Sequence, residues 1–187
     1  MIFPAAIDAD GWLLTAQRRP SPNYDQRPPH TVIDLLVIHN ISLPPNEFGD
    51  HWIDDLFLNR LNPTAHPYFA AIAQLRVSAH LFIRRDGTHI QYVPFTQRAW
   101  HAGQSCFQGR ERCNDYSIGI ELEGADHIPF TDTQYQTLNT SIAQLRSTYL
   151  AITPERIVGH CDIAHGRKTD PGAAFDWARM HRSGNAN

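Results

Sequence analysis

Lysine is almost absent from this 187-residue chain. Lysine and arginine together number 16, yet reading along the sequence finds a single lysine, Lys168. A codon bias that converts lysine to arginine accounts for the general pattern. Because lysine is a compact ammonium and arginine a planar fork, a position that keeps lysine against the bias is a candidate for a specific role.

Cysteine is also scarce. Three cysteines in 187 residues are too few, and odd in number, for a disulfide framework, so Cys106, Cys113 and Cys161 are expected to be reduced thiols. The start of the chain, MIFPAAIDADGWLL, lacks the basic and apolar segments of an export signal. With Met1 as the native start, both observations favour a cytoplasmic protein.

Long apolar runs and an excess of positive charge are missing as well. No run is long enough to cross a bilayer, and the formal net charge of −3 provides no basic surface for nucleic acid. We therefore expect neither a membrane nor a nucleic acid as a partner. Hydrophobic residues make up 42% of the chain and charged residues 19%, which is ordinary for a soluble globular protein.

The length predicts a single domain over residues 1–187, since no internal repeat, low-complexity tract or linker interrupts it. Within it we expect an N-terminal extended segment over residues 1–30 and a flexible tail over residues 182–187. The extended segment follows from four prolines in residues 17–30, because proline fixes its own φ and cannot donate to a helix or sheet.

Several segments have the pattern of β-strands. Residues 31–40 are apolar on both faces and rich in branched side chains, as in a buried strand. Residues 80–92 predict a hairpin, because Asp86-Gly87 separates two strand-like runs. In the strand YSIGIELEG, alternation places Glu121 and Glu123 on one face and three aliphatic residues on the other.

Helices are predicted between and after these strands. A short helix fits residues 51–59, and a longer one fits 131–149, where Thr131 is the N-cap with Gln134 three positions on. A short strand over 155–160 is expected to end at His160, and a last helix to cover 174–181.

Two histidines and an aspartate are candidate metal ligands. His39 and His160 end predicted strands, and Asp170 follows His160 by ten residues, so a loop can fold back and bring all three to one ion. Zinc catalysis needs about three such ligands and an open position. Two alternatives stay open: His39 satisfied by hydrogen bonds in the core, and a rival cluster of His160, Cys161 and His165. Adjacent His160 and Cys161 would point apart on a strand, which disfavours the rival.

Six segments carry a resemblance to a known family: VIHNISLPPNEFG, NPTAHPYFA, LRVSAHLFIRRDG, QYVPFTQRAWHAG, GRERCNDYSIGIELEG and GHCDIAHGRKTDPG. With these motifs the chain resembles the zinc-dependent N-acetylmuramyl-L-alanine amidases, over about residues 12–178. Phage amidases and peptidoglycan recognition proteins are more distant relatives. The resemblance implies a mixed α/β fold, a central mixed sheet flanked by helices, which is consistent with the elements above.

The resemblance also implies one Zn²⁺ ion held by His39, His160 and Asp170. The reaction implied is hydrolysis of the amide between the lactyl group of an (anhydro-)muramyl sugar and L-alanine. The attacking water must lose a proton, and Glu121 is the implied general base that later protonates the leaving amine. Lys168 would add positive charge beside the tetrahedral oxyanion. The alternative for Glu121 and Glu123 is that both carboxylates are solvent-exposed on the strand and have no catalytic role.

Substrate contacts are also inferred from the resemblance. Arg76 and Arg112 are the expected partners of stem-peptide carboxylates, because a guanidinium binds a carboxylate in a bidentate fork. Structural ion pairs are the alternative for both. Asn40 and Trp100 are expected near the sugar, and His101 could line the site without being a ligand.

The expected biology is cytoplasmic peptidoglycan recycling, with an indirect effect on β-lactamase induction. The partner is a small muropeptide, and we expect a monomer without an obligate protein partner. A non-catalytic muropeptide-binding module is an alternative, as are an amidase acting on intact cell wall and a structural zinc site. The presence of all five implied site residues disfavours the binding module, and a structural site would prefer a closed, sulfur-rich ligand set.

Overall fold

The protein, analysed as a computed structural model, is described over residues 6–181. Residues 1–5 of the expected N-terminal segment and the expected tail at 182–187 lie outside the described residues. The strands are β1 Gln17–Arg18, β2 Tyr24–Asp25, β3 Leu35–Ile41, β4 Leu81–Ile83, β5 His89–Gln91, β6 Arg98–Ala99, β7 Cys106–Phe107, β8 Arg110–Glu111, β9 Ser117–Glu123 and β10 Ile157–Gly159. The helices are α1 Trp52–Phe57, α2 Pro67–Ile72, α3 Asp132–Thr148, α4 His160–Ile163 and α5 Ala178–His181.

The central sheet has six strands in the order β1-β5-β4-β9-β3-β10. β4, β9, β3 and β10 run parallel, while β5 is antiparallel to β4, as the predicted hairpin requires. Two further strand pairs, β2 with β6 and β7 with β8, lie outside this sheet. The mixed sheet and its helices confirm the predicted α/β fold class.

Alternation along the central strands separates two apolar layers. On one face, Leu36 and Ile38 of β3 and Ile118, Ile120 and Leu122 of β9 pack with the buried side of α3. On the other face, Leu35 and Val37 pack with Tyr116 and with Ile163 of α4. Both faces of β3 are therefore covered, which explains why residues 35–38 form a continuous apolar run.

Helix α3 begins as its sequence predicts. The Thr131 side chain accepts a hydrogen bond from the Gln134 backbone N–H, and the Gln134 side chain accepts one from the Thr131 backbone N–H. This reciprocal pair satisfies two amides that the helix start would otherwise leave open. Leu138 and Leu145 are fully buried against the sheet, and each contributes about 1.5–3 kcal/mol by leaving water.

The parallel register brings the polar strand ends together. His39 of β3 lies opposite Glu121 of β9, and Gly159 of β10 lies opposite Ile38. The residue after Gly159 is His160, which therefore lies beside His39. Because parallel strands end at the same edge of a sheet, three segments distant in sequence meet at one place.

Two sequence predictions of element boundaries were wrong, and one helix was missed. The strand predicted to end at His160 stops at Gly159, and His160 instead begins the helical turn α4. The last helix begins at Ala178 rather than 174, because the preceding residues are used in turns, with Ala174 N–H donating to the Asp126 carbonyl. Helix α2 was not predicted at all.

Among residues 6–181, no helix combines the length and the apolarity needed to span a bilayer.

Candidate metal centre and active site

Three side chains converge where β3 and β10 end. His39 Nδ1 lies 3.0 Å from His160 Nδ1 and 3.0 Å from Asp170 Oδ2, and His160 Nδ1 lies 3.1 Å from the same carboxylate oxygen. The possible ligand atoms of the three residues all lie within 4.8 Å of one another. The structure therefore brings together the three ligands that the sequence predicted.

A hydrogen bond at His160 Nε2 determines whether His160 Nδ1 carries a proton or a lone pair. His160 Nε2 lies 3.0 Å from the Ala102 carbonyl oxygen. A carbonyl can only accept, so Nε2 carries a proton, which leaves Nδ1 as the nitrogen that can present a lone pair. That lone pair faces the His39 nitrogen and the Asp170 carboxylate.

The charges at this point suit a dication. Burial is the main cause that lowers the pKa of His39 to about 4, so its imidazole is neutral at pH 7. Burial acts to raise the pKa of Asp170, but hydrogen bonds with His160 and His39 outweigh it and hold that pKa below its ordinary value. Two imidazole nitrogens and an ionised carboxylate oxygen that converge within about 3 Å fit zinc, whose catalytic sites use nitrogen and oxygen ligands.

A tight turn returns Asp170 to the histidines. The Gly172 N–H donates to the Thr169 carbonyl at 3.0 Å, and Gly172 has a φ of +82°. A Cβ at this position would lie 2.1 Å from Asp126 Cα, so only glycine fits this close approach. The Asn40 side-chain amide secures the same turn, donating to Asp126 Oδ1 at 2.7 Å and to the Pro171 carbonyl at 3.0 Å.

Glu121 places a carboxyl group in the wall of the same cleft. Its Oε2 is buried and has no hydrogen-bond partner among the described residues. Burial raises the pKa of Glu121 well above its ordinary value, Asp170 raises it further, and Lys168 opposes the shift. A desolvated carboxyl with a raised pKa suits proton transfer near neutral pH. The alternative that Glu121 is a solvent-exposed surface carboxylate does not fit this burial.

Glu123 has a different task although it lies on the same strand face. Its Oε1 accepts from the Gly49 backbone N–H at 2.5 Å, and its Oε2 accepts from the Arg85 backbone N–H at 3.0 Å. The side chain is buried. Glu123 therefore holds two loops to the sheet edge, a role that alternation alone did not predict.

The converging ligands lie in a cleft of about 360 Å³. Asn40, Trp100, His101, Glu121 and Lys168 line it together with the three candidate ligands. The opposite wall is apolar and was not predicted from the sequence; it includes Leu43, Leu56, Tyr68, Ile72 and Leu75. Tyr68 and Ile72 belong to α2, whose start is signalled only by His66, which accepts from the Tyr68 N–H, and by Pro67 at the first helical position.

The two predicted arginine contacts lie elsewhere. Arg76 is exposed, and its neighbours Leu75 and Val77, rather than Arg76 itself, line the cleft. Arg112 lines a second cavity of about 460 Å³ and forms an ion pair with Asp115, at 3.1 Å. The substrate role of both arginines stays a prediction.

The rival cluster of His160, Cys161 and His165 does not form. The Cys161 thiol lies 3.9 Å from Asp162 Oδ1, and burial raises the pKa of this thiol above its ordinary value. His165 is exposed and lines the second cavity rather than the cleft. The free thiols of Cys106, Cys113 and Cys161 agree with the prediction of reduced cysteines.

Comparison with protein families identifies relatives of this chain. Residues 27–173 match the family described as N-acetylmuramoyl-L-alanine amidase. The chain is 62% identical, over 171 residues, to the 1,6-anhydro-N-acetylmuramyl-L-alanine amidase AmpD of Citrobacter freundii, and the match covers 91% of each protein.

Solved structures show the same fold. A crystal structure of a selenomethionine AmpD derivative superimposes with a TM-score of 0.91 at 60% identity, covering 94% of this chain and 97% of the other. The amidase AmiD from Escherichia coli, solved with the substrate anhydro-N-acetylmuramic acid-L-Ala-D-gamma-Glu-L-Lys, gives a TM-score of 0.60 at 29% identity. That match covers 96% of this chain and 66% of AmiD.

Proposed function

The chain belongs to the N-acetylmuramoyl-L-alanine amidase family, and we propose that it works with one zinc ion held by His39, His160 and Asp170. Its relatives with about 60% identity are amidases of the 1,6-anhydro-N-acetylmuramyl-L-alanine type. The chain is an amidase of this type, a hydrolase of peptidoglycan recycling. The bond that it cuts is the amide between the lactyl group of the (anhydro-)muramyl sugar and L-alanine.

One observation carries the metal proposal. Two imidazole nitrogens and a carboxylate oxygen lie 3.0–3.1 Å apart and face one another. His39 and His160 are buried, and Asp170 is half-buried. Acceptor atoms repel one another at this distance unless a cation or a proton lies between them. A bound zinc ion would supply Lewis acidity, which lowers the pKa of water and polarises the substrate carbonyl.

Glu121 is the proposed general base. Its carboxyl lies in the cleft wall, and the buried Oε2, which has no hydrogen-bond partner in the described part of the chain, can accept a proton from the attacking water. The raised pKa of Glu121 lets the same group return that proton to the departing L-alanine amine. Since Glu121 lies opposite His39 in the parallel register, it is placed beside the ligands without being one of them.

Lys168 is the proposed partner of the negative charge that develops on the carbonyl oxygen. It is exposed on the loop that follows α4 and lines the cleft, so its stem can swing toward the reacting group. A cation at this position stabilises an oxyanion more than a neutral carbonyl, which lowers the barrier rather than only improving binding.

The residues that line the cleft, and the two arginines outside it, suggest where the sugar and the stem peptide of the substrate bind. Asn40 and Trp100 line the cleft close to the ligands, and we assign them to the sugar. Arg76 and Arg112 lie outside the cleft, where they can meet carboxylates of the stem peptide that extends from it. AmiD, solved with an anhydro-muramyl tripeptide, is the precedent for a small muropeptide as the ligand.

The wider setting belongs to the same proposal. We place the protein in the cytoplasm as a monomeric single domain that acts on released muropeptides, with an indirect effect on β-lactamase induction. Fractionation of cells and size-exclusion chromatography of the purified chain test the location and the monomeric state.

The test of the function compares substrates and metal states. Zinc-loaded and chelated protein is incubated with an anhydro-muramyl peptide and, separately, with intact sacculi, and released peptides are identified by mass. We expect the zinc-loaded protein alone to release the stem peptide from the small substrate. Full activity after chelation would refute the zinc proposal, and cleavage of sacculi without cleavage of the small substrate would refute the recycling role.

A further inference from the structure

A partly buried series of hydrogen bonds leads away from the candidate metal centre. His39 Nε2, on the side of the ring opposite Nδ1, lies 2.9 Å from His101 Nδ1. His101 Nε2 in turn lies 3.2 Å from the Ser117 hydroxyl. His39 and Ser117 are both buried, and Ser117 begins β9. These hydrogen bonds therefore connect His39, a candidate ligand, to the interior of the sheet.

Proton positions along this series are coupled. A His39 ring that presents the Nδ1 lone pair to a metal must carry its proton on Nε2, and that proton then needs an acceptor. His101 Nδ1 is the acceptor only when the His101 proton is on Nε2, where it is donated to Ser117. If every proton in the series moved to the other nitrogen, His39 Nδ1 would carry a hydrogen pointing at His160 and Asp170.

The ring of His101 is held for this contact by its surroundings. A Cβ on Gly119 would lie 2.5 Å from His101 Nδ1, so the ring lies directly against a glycine backbone. The His101 backbone N–H donates to Asn114 Oδ1 at 3.1 Å, and the planes of His39 and His101 meet at 84°. The ring thus lies against Gly119 with Nδ1 toward His39 and Nε2 toward Ser117.

We propose that His101 is a positioning residue that, together with Ser117, fixes the metal-binding tautomer of His39. The proposal rests on the metal site proposed above and goes beyond it, since it assigns no ligand role to His101. The Nδ1 of His101 meets the outer nitrogen of His39, whereas the ion would lie on the inner side, near Asp170. Loss of such an outer partner of a metal-binding histidine typically weakens metal binding by about 10–100-fold.

A matched pair of variants isolates the hydrogen bond from the bulk of the ring. Asparagine and leucine have nearly the same shape, but only asparagine offers an acceptor oxygen near the place of Nδ1. We expect His101→Leu to weaken zinc binding by about 10–100-fold, and His101→Asn to bind zinc more tightly than His101→Leu. Zinc affinity is measured by competition with a chromogenic chelator, without substrate. Melting curves of the metal-free variants report whether each is folded.

Ser117→Ala tests the far end of the series and carries the test if His101→Leu does not fold. Without the hydroxyl, His101 Nε2–H loses its acceptor, so the opposite tautomer is favoured and zinc binding should weaken. In zinc-loaded wild-type protein, ¹⁵N NMR of the imidazoles should show the His39 proton on Nε2 and the His101 proton on Nε2.

The outcomes separate this inference from the proposed function. If wild-type protein binds no zinc, the metal proposal itself fails. If wild-type protein binds zinc and hydrolyses the muropeptide, but His101→Leu and Ser117→Ala bind zinc as tightly, only the positioning role is refuted. A His39 proton found on Nδ1 in the loaded protein would refute it as well.

Discussion

Glu121 combines a cost to stability with a use in chemistry. Its buried Oε2 has no partner within residues 6–181, and burying a carboxyl without hydrogen bonds is unfavourable. We expect Glu121→Gln to reduce kcat on an anhydro-muramyl peptide by about 10²–10⁴-fold, because the amide has the same shape but cannot take up a proton. Zinc affinity should be unchanged, since Glu121 is not a ligand.

The stability of the same variant is a second readout. A folded-state pKa raised by burial means that ionisation of Glu121 disfavours the folded state as pH rises above the ordinary carboxyl range. The free energy of unfolding of metal-free Glu121→Gln should therefore equal or exceed that of wild type at pH 7. Activity close to wild type in this variant would remove Glu121 from the mechanism.

Lys168 offers a contrasting case, because it is exposed and its removal leaves no hole. We expect Lys168→Ala to keep its zinc affinity and its melting temperature while kcat falls by about 10²–10³-fold, the range seen when one oxyanion donor is removed. Steady-state kinetics with zinc-loaded protein is the measurement. Arg167→Ala is the neighbouring control. Because the Arg167 guanidinium donates to the Ala102 and Gln104 carbonyls, this change should lower the melting temperature more than it lowers kcat. Hydrolysis at the wild-type rate by Lys168→Ala would refute the oxyanion role.

At the scale of elements, the capping box of α3 is the feature that the sequence predicted most fully. Thr131 caps the helix and also donates its hydroxyl to the Arg85 carbonyl at 2.7 Å, which joins α3 to the turn of the β4–β5 hairpin. We expect Thr131→Ala to lower the free energy of unfolding by about 1 kcal/mol, measured by urea denaturation. Thr140→Ala is the matched control, because that hydroxyl is exposed and, among residues 6–181, bonds only to the Gln136 carbonyl within the helix. Equal effects of the two changes would contradict the capping role.

The pairing of β2 with β6 makes one part of stability depend on pH. Arg98 donates from Nε and Nη2 to the two oxygens of Asp25, each at 2.6 Å, and this hydrogen bonding, partly opposed by burial, lowers the pKa of Asp25. A lowered carboxyl pKa adds stability above the ordinary pKa of about 3.8, and the gain is lost as pH falls through the folded value.

Asp25→Asn should therefore be less stable than wild type at pH 7, and the difference should shrink below about pH 4. The effect is small, because the Asp25 side chain is 44% exposed and salt screens the pair. Urea midpoints at several pH values measure it, and Asp10→Asn, at an exposed position, is the control. A difference that stays constant from pH 7 to pH 3 would contradict the role of the ion pair.

What the sequence could predict depended on the length of each pattern. β3, β9 and α3 each have seven or more residues and a clear pattern, an apolar run in β3 and a regular period in β9 and α3, and all three were predicted. Helix α2 has six residues, of which only Phe69 is buried, so its apolar period is too short to recognise. Tyr68 and Ile72 of this helix line the cleft, and because the helix itself was not recognised, this apolar wall was not predicted from residue patterns.

At the scale of the molecule, the candidate site depends on a register that local patterns do not determine. The sequence indicated that His39 and His160 follow strands, but that β10 lies beside β3 is a matter of strand order. The contact of His101 with His39 joins residues 62 positions apart, and the contacts of Glu123 with Gly49 and Arg85 join residues 74 and 38 positions apart. Motif resemblance supplied the proposed ligand set and the proposed catalytic residues, whereas the contacts of His101 and Glu123 required the folded chain.

Removal of the metal should then affect the whole molecule without abolishing its fold. The ligands connect β3, α4 and the loop that carries Asp170, but the apolar layers on the two faces of the sheet do not include them. At free zinc about 100-fold above its Kd, binding stabilises the folded state by about 2.7 kcal/mol. For a domain of this size that corresponds to about 5–10 °C in Tm.

We therefore expect chelation to lower the Tm by about this amount while far-UV circular dichroism at 25 °C stays unchanged. Asp170→Asn is the control, because it keeps the size of the side chain and removes the charge that a dication requires. Its Tm should be lower than that of zinc-loaded wild type and should not respond to the chelator. A wild-type Tm that is indifferent to chelation, or an Asp170→Asn variant that responds as strongly as wild type, would show that these three side chains do not hold the ion.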